Sequence, residues 1–254
     1  MNFIQKRIIP TLLLHDESLV KTVQFDKFKY IGDPCNTVRI FNELEVDELL
    51  FLDIKASILK IKPNLKILRE IANECFMPLS YGGGITTVDD AKKIFDIGFE
   101  KISINSSLYN NPTLITKISN IFGNQSVIAS IDVKKNFLGK YSVYSHSGNK
   151  KKYKDPVEWA KNLEKCGAGE ILLTSINNEG MWSGFDIHLV NSICDAVNIP
   201  VITHGGAGNI SHLNEVFKKT SVSAAALGSM VVFQKKGFGV LINFPEKNKI
   251  DLNY

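Results

Sequence analysis

Cysteine is scarce in this 254-residue chain: Cys35, Cys75, Cys166 and Cys194 are the only four. No CxxC pair occurs and no histidine stands at ligand spacing beside one, which argues against structural zinc. Cys166 and Cys194 fall in helix-like text and are expected to act as small buried hydrophobes. Long apolar runs are missing too. No segment reaches membrane-spanning length and the N-terminus lacks the apolar stretch of a signal peptide, so the expectation is a cytoplasmic protein with no membrane association. Nor does charge of one sign dominate, because 30 Lys and Arg against 26 Asp and Glu leave a net charge of +4. Basic residues cluster only at Lys150-Lys151-Lys152 and Lys235-Lys236, which speaks against a nucleic-acid partner. With no linker, low-complexity stretch or shift in composition, residues 1–254 read as one domain.

What is present is a repeat. Ile8-Ile9-Pro10-Thr11-Leu12-Leu13 parallels Val127-Ile128-Ala129-Ser130-Ile131-Asp132, and Glu48–Asp53 parallels Glu170–Ser175. Met77-Pro78-Leu79-Ser80-Tyr81-Gly82-Gly83-Gly84 parallels Ile199-Pro200-Val201-Ile202-Thr203-His204-Gly205-Gly206. The offset is always about 120 residues, the signature of a duplicated half-chain. One copy ends its first run in an acid, Asp132, where the other ends in Leu13.

Short apolar runs at 7–13, 48–53, 78–81, 101–104, 127–132, 170–174, 200–203 and 223–227 read as strands. They lack strict alternation, as strands covered on both faces do. Helical-period text lies between them, at 60–74, 87–97, 112–121, 156–166, 187–197 and 211–219. Eight β-then-α units with a two-fold repeat predict a (β/α)8 TIM barrel. Two insertions, 14–33 and 136–154, follow the first and fifth strands, on the face where such barrels place their sites. The second carries Tyr141-Ser142-Val143-Tyr144 and reads as a short hairpin.

Gly82-Gly83-Gly84 and Gly205-Gly206-Ala207-Gly208 each join a strand to a helix. Glycine lets backbone N–H groups approach an anion, and a helix N-terminus adds partial positive charge. Two such loops at equivalent positions predict two phosphates on one elongated ligand, with Asn105-Ser106 and Gly228-Ser229 completing the two cradles. Asp132 closes an apolar run and is expected to point into the barrel mouth with a perturbed pKa, as a general acid or base does. Asp53 at the end of the second strand, Glu179 in the sixth-strand loop and His204 just before the second glycine loop are further polar candidates. At the opposite end Arg7, Glu48, Lys101 and Glu170 stand at strand starts with alternating sign, and charges there must be paired. They form either an ion-paired floor or a gate over a central passage.

Together these residues resemble the cyclase subunit of imidazole glycerol phosphate synthase, the HisF family, over nearly the whole chain. The resemblance rests on Lys6-Arg7-Ile8-Ile9-Pro10, Gly32-Asp33-Pro34, Asp47–Asp53, Gly82–Ile85, Lys101–Asn105, Gly167–Ser175 and Gly205–Gly208. It implies a barrel docked floor-down on a glutaminase subunit of the HisH type. Ammonia would pass the gate at Arg7, Glu48, Lys101 and Glu170 and meet a bisphosphate ribonucleotide at the mouth. The products implied are imidazole glycerol phosphate and an aminoimidazole carboxamide ribotide, as in histidine biosynthesis, with no cofactor or metal. Lys21 matches the family's flexible-loop lysine.

The chain also departs from the family pattern. Cyclases of the family use two aspartates, and Asp132 matches only the second. Leu13 stands at the first, Asp16 falls beyond it in the loop, Asn177 stands where an aspartate is usual, and Met181-Trp182 replaces a small polar residue. Three readings follow: a cyclase with Asp132 sufficient; a paralogue delivering ammonia elsewhere, as in amidination of surface-polysaccharide sugars beside a separate amidotransferase; or a non-catalytic scaffold that activates the glutaminase.

Overall fold

The structure, a computed structural model, describes residues 6–152 and 155–252. The apolar runs form strands β1 (Arg7–His15), β2 (Ser18–Val23), β3 (Asp26–Gly32), β4 (Leu49–Asp53), β5 (Leu79–Gly82) and β6 (Lys101–Ile104). They continue with β7 (Val127–Lys135), β8 (Tyr141–Ser145), β9 (Lys150–Lys151), β10 (Glu170–Ser175), β11 (Val201–His204) and β12 (Ala224–Leu227). Eight of these run parallel in the order β1, β4, β5, β6, β7, β10, β11, β12, and β12 pairs back onto β1, so the sheet closes. This is the (β/α)8 barrel that the periodicity predicts.

Helices α1 (Pro34–Glu43), α2 (Ala56–Leu59), α3 (Leu65–Glu74), α4 (Val88–Ile97) and α5 (Thr113–Phe122) surround the first half. Helices α6 (Pro156–Lys165), α7 (Ile187–Cys194), α8 (Ile210–Lys219) and α9 (Ser229–Val232) surround the second. Their starts are written in the sequence. Asp33 caps α1 by accepting from Asn36 N–H, and Pro34 supplies the preset φ of a first helical residue. Thr87 and Asp90 form a reciprocal capping box on α4. Each amphipathic helix turns one apolar stripe, such as Ile67, Leu68 and Ile71 of α3, onto the outward residues of the strands. A second, smaller cluster (Ile9, Leu50, Ile128, Leu172, Ile202, Ala224 and Ala226) fills the barrel itself.

The structure corrects several expectations. Residues 14–33 are no open loop: β1 extends to His15 and the chain returns as the antiparallel hairpin β2–β3. Likewise Asp132 does not end its strand, because β7 continues to Lys135 and pairs with β8. Both halves thus extend their first strand into a hairpin over the mouth, so the repeat includes the insertions. The predicted helices at 60–74 and 187–197 are shorter, since Lys60 takes a left-handed C-cap after α2 and α7 stops at Cys194. Cys166 and Cys194 are half-buried rather than buried. Among the described residues, no helix is long and apolar enough to cross a membrane.

Candidate active site

Strand alternation decides which side chains enter the barrel. From floor to mouth β1 sends in Arg7, Ile9 and Leu13, and the β6 line sends in Lys101, Ser103 and Asn105. Strand β7 sends in Ile128, Ser130 and Asp132, and β10 sends in Glu170, Leu172 and Thr174.

At the floor the four charges form a ring. Arg7 donates to Glu48 at 2.9 Å and to Glu170 at 3.0 Å, and Lys101 donates to Glu170 at 3.0 Å and lies 3.9 Å from Glu48. Burial holds the Glu48 carboxyl above its ordinary value, and Arg7 and Lys101 oppose that shift. Above the ring lies the apolar cluster. Among the described residues, Glu170 Oε2 and Ser103 Oγ are buried here without a hydrogen-bond partner, and so is Asn105 Oδ1 at the mouth.

The mouth is a cavity of about 440 Å³ that brings together Leu13, Asp53, Gly83, Gly84, Asn105, Ser106, Asp132, Glu179 and His204. Asn105 Nδ2 donates to Asp132 Oδ2 at 2.7 Å. Burial pushes the Asp132 carboxyl up to about 7, although hydrogen bonds from Asn105 and Thr174 pull the other way. Thr174 Oγ1 also lies 3.3 Å from Nδ1 of His204. Burial, with the charge of Lys21, drives that imidazole down to about 3, so His204 is neutral.

Leu13 occupies the position in the first half that Asp132 occupies in the second. Its register partners are Leu52 on β4 and Val20 on β2; those of Asp132 are Thr174 on β10 and Tyr144 on β8. An apolar pair therefore faces a polar pair across the cavity. Asp16 offers no replacement, since it sits at φ 55 in the turn beyond β1 with its side chain 74% exposed. Asp53 lines the cavity, but its Oδ1 accepts from Lys55 and Ala56 N–H at 2.9 Å each, as an N-terminal anchor of α2.

The second glycine loop is not part of the large cavity. Gly205, Gly206, Gly228 and Ser229 line a separate space of about 10 Å³ together with Lys21 and Glu179, room for about one water. Lys21 departs from the flexible lysine that the resemblance implies: it is buried on β2, ion-paired to Glu179 and pressed against Gly228. Burial lowers its ammonium to about 7. Glu179 also accepts from Thr22 Oγ1 and Phe25 N–H, each at 3.2 Å. Gly206 must be glycine, because at φ +111 an added Cβ would stand 2.0 Å from the Gly184 carbonyl. Asn177 accepts from Lys135 N–H at 2.7 Å and donates to the Lys135 carbonyl at 3.2 Å, a pairing whose second half an aspartate could not make.

Sequence reasoning missed Thr174, Phe25 and the turn His146–Ser147, all of which line the cavity. Thr174 was discoverable, two positions beyond Leu172 on the inward face of β10. The turn was not, since only the fold brings Ser147 Oγ to the Ile54 carbonyl at 2.8 Å.

A family model described as histidine biosynthesis protein matches residues 7–236. A Pseudomonas aeruginosa protein, provisionally named imidazole glycerol phosphate synthase subunit hisF2, is 51% identical over 249 residues, covering 98% of this chain and 99% of the relative. This chain belongs to the HisF family. A Vibrio vulnificus relative, provisionally named as subunit hisF3, is 42% identical with coverage of 97% and 95%. The imidazole glycerol phosphate synthase subunit HisF of Hydrogenobaculum is 41% identical with coverage of 96% and 97%. The HisF barrel is thus the frame in which Leu13 and Asp132 face each other.

Proposed function

We propose that this chain is the ammonia-using cyclase subunit of a glutamine amidotransferase complex. A glutaminase of the HisH type docks beneath the ring of Arg7, Glu48, Lys101 and Glu170. Ammonia crosses the barrel axis, and at the mouth it meets a phosphorylated acceptor held at Gly83, Gly84, Asn105 and Ser106. On family grounds the acceptor is the bisphosphate ribonucleotide, converted to imidazole glycerol phosphate and the carboxamide ribotide. The carrying observation is the line of buried oxygens without partners, Glu170 Oε2, Ser103 Oγ and Asn105 Oδ1, from charged floor to mouth. Such atoms are rare in folded proteins and suit a polar molecule in transit. Asp132, with a pKa near neutrality, takes a proton from the attacking nitrogen and returns one to the leaving group.

Leu13 favours a second reading, in which the same complex delivers ammonia to another acceptor, such as a surface-polysaccharide sugar served by a separate amidotransferase. The deciding experiment is ammonium-dependent turnover of the bisphosphate by the purified chain and by Leu13→Asp. Wild-type turnover supports the cyclase; turnover only after Leu13→Asp supports the diverted acceptor. Turnover by neither defeats the cyclase reading of this barrel.

A further inference from the structure

The two ends of the mouth differ in charge. At the second glycine loop Lys21 is neutralised by Glu179 in a space of about 10 Å³. At the first, Lys60 and His146 line the open cavity, and Lys150 and Lys152 follow on the same hairpin. Lys62 there is spoken for by Asp90 at 2.7 Å. Among the described residues, no ion pair to an acid involves Lys60, Lys150 or Lys152.

Lys60 lies beside the first phosphate turn on one side, and the turn of the hairpin that carries Lys150 and Lys152 meets it on the other. Gly84 packs so tightly on the α2–α3 turn that an added Cβ would lie 2.6 Å from the Ile61 carbonyl, next in sequence to Lys60. From the other side His146 N–H donates to Ser106 Oγ at 3.1 Å, tying the β8–β9 turn to Asn105-Ser106. Lys150 stands in register with Ser145, and Lys152 Nζ lies 6.0 Å over the ring of Tyr109, three residues past Ser106. The His146 imidazole is held below its ordinary value by burial and then by Lys150, Lys152 and Lys60. Backbone strain marks the same spot, with Lys60, His146 and Ser147 at φ 57, 54 and 52. A left-handed L-residue costs on the order of 1 kcal/mol, and such residues concentrate at binding sites.

We infer that Lys60, Lys150 and Lys152 form an anion subsite just outside the first glycine loop, so that the ligand carries two adjacent anionic groups there, as a diphosphate does. This deepens the second reading of the function and rests on the cavity being the ammonia acceptor's site. A ligand with one phosphate at each end would have to bring its far phosphate up to the buried Glu179 carboxylate, whereas a diphosphate-linked acceptor keeps its charge at the cationic rim and its uncharged part beside Leu13.

The test is calorimetric binding to the full chain at fixed low ionic strength, with inorganic phosphate, pyrophosphate and fructose 1,6-bisphosphate as probes. Pyrophosphate is expected to bind at least tenfold tighter than phosphate. The triple variant Lys60→Ala, Lys150→Ala, Lys152→Ala should erase that advantage and leave phosphate binding within about twofold, while the triple Lys→Arg variant keeps it. The inference is overturned if pyrophosphate has no advantage, if the alanine triple retains it, or if the two-ended bisphosphate binds tighter. Absence of any anion binding overturns the phosphate cradle as well. The Leu13→Asp turnover assay uses none of these probes, so the two readings can fail separately.

Discussion

Asp132 is the group on which the proposed chemistry turns, and its burial makes a quantitative prediction. In an unfolded chain an aspartate ionises near pH 3.9, whereas in the folded protein burial raises Asp132 to about 7. Between those values the folded state holds a proton that the unfolded state has released. Stability therefore falls as pH rises through this window, at about 1.4 kcal/mol per unit, and levels off above the folded pKa. Asp132→Asn removes the titration and keeps an amide of the same size beside Asn105 and Thr174. Urea unfolding of both proteins at pH 4.5, 6 and 8 should show the Asn variant gaining on the wild type by about 3 kcal/mol from the lowest to the highest pH. If the difference stays constant with pH, Asp132 ionises as an ordinary carboxylate. It is then no acid poised near neutrality.

The other predictions concern the ion pairs and the loops. Lys21→Met leaves the buried Glu179 carboxylate without its cation and should cost about 3–5 kcal/mol in urea unfolding; adding Glu179→Gln should recover most of that. Arg7→Ala leaves Glu48 and Glu170 to share Lys101 and should lower stability by about 1–3 kcal/mol. In the proposed complex with a glutaminase, Arg7→Ala should also depress glutamine-dependent turnover more than ammonium-dependent turnover; an equal loss would separate the ring from ammonia entry. Gly206→Ala forces a Cβ against the Gly184 carbonyl at φ +111 and should lower the thermal midpoint sharply, while Gly237→Ala, with open space around it, should cost only the strain of its own φ of +81.

The barrel was legible because its signal is periodic and repeated. Apolar runs without alternation, with glycine loops at the same place in each half, leave little but a closed parallel sheet. The floor was legible for a similar reason, since Arg7, Glu48, Lys101 and Glu170 all stand at strand starts. The hairpins were harder. Asp26–Gly32 has five exposed residues in a row, so nothing in its polarity separates a strand from a loop; it is a strand because β2 offers it a free edge. The burial of Lys21 was hidden for a related reason. Nothing in the polar insertion marks it as buried, and only the return of the β10 loop, through Gln24 N–H to the Glu179 carbonyl at 2.9 Å, sets it against Glu179.

The two halves show how a duplicated frame can carry unequal chemistry. Leu13 and Asp132 share a position, and each is flanked by a partner of its own kind, Leu52 and Thr174. An aspartate restored at 13 would meet Leu52 and Val20 with no hydrogen-bond donor among its register partners, so its carboxyl would be raised further than that of Asp132. Proton transfer from a positioned group is worth about 10²–10⁴-fold in rate, or about 3–5 kcal/mol. A carboxyl held protonated at neutral pH could supply the acid half of that and not the base half. Leu13→Asp together with Leu52→Thr, which copies the second-half pair into the first, should therefore outperform Leu13→Asp alone in turnover of the bisphosphate. Equal rates for the two variants would mean that the position matters and its surroundings do not.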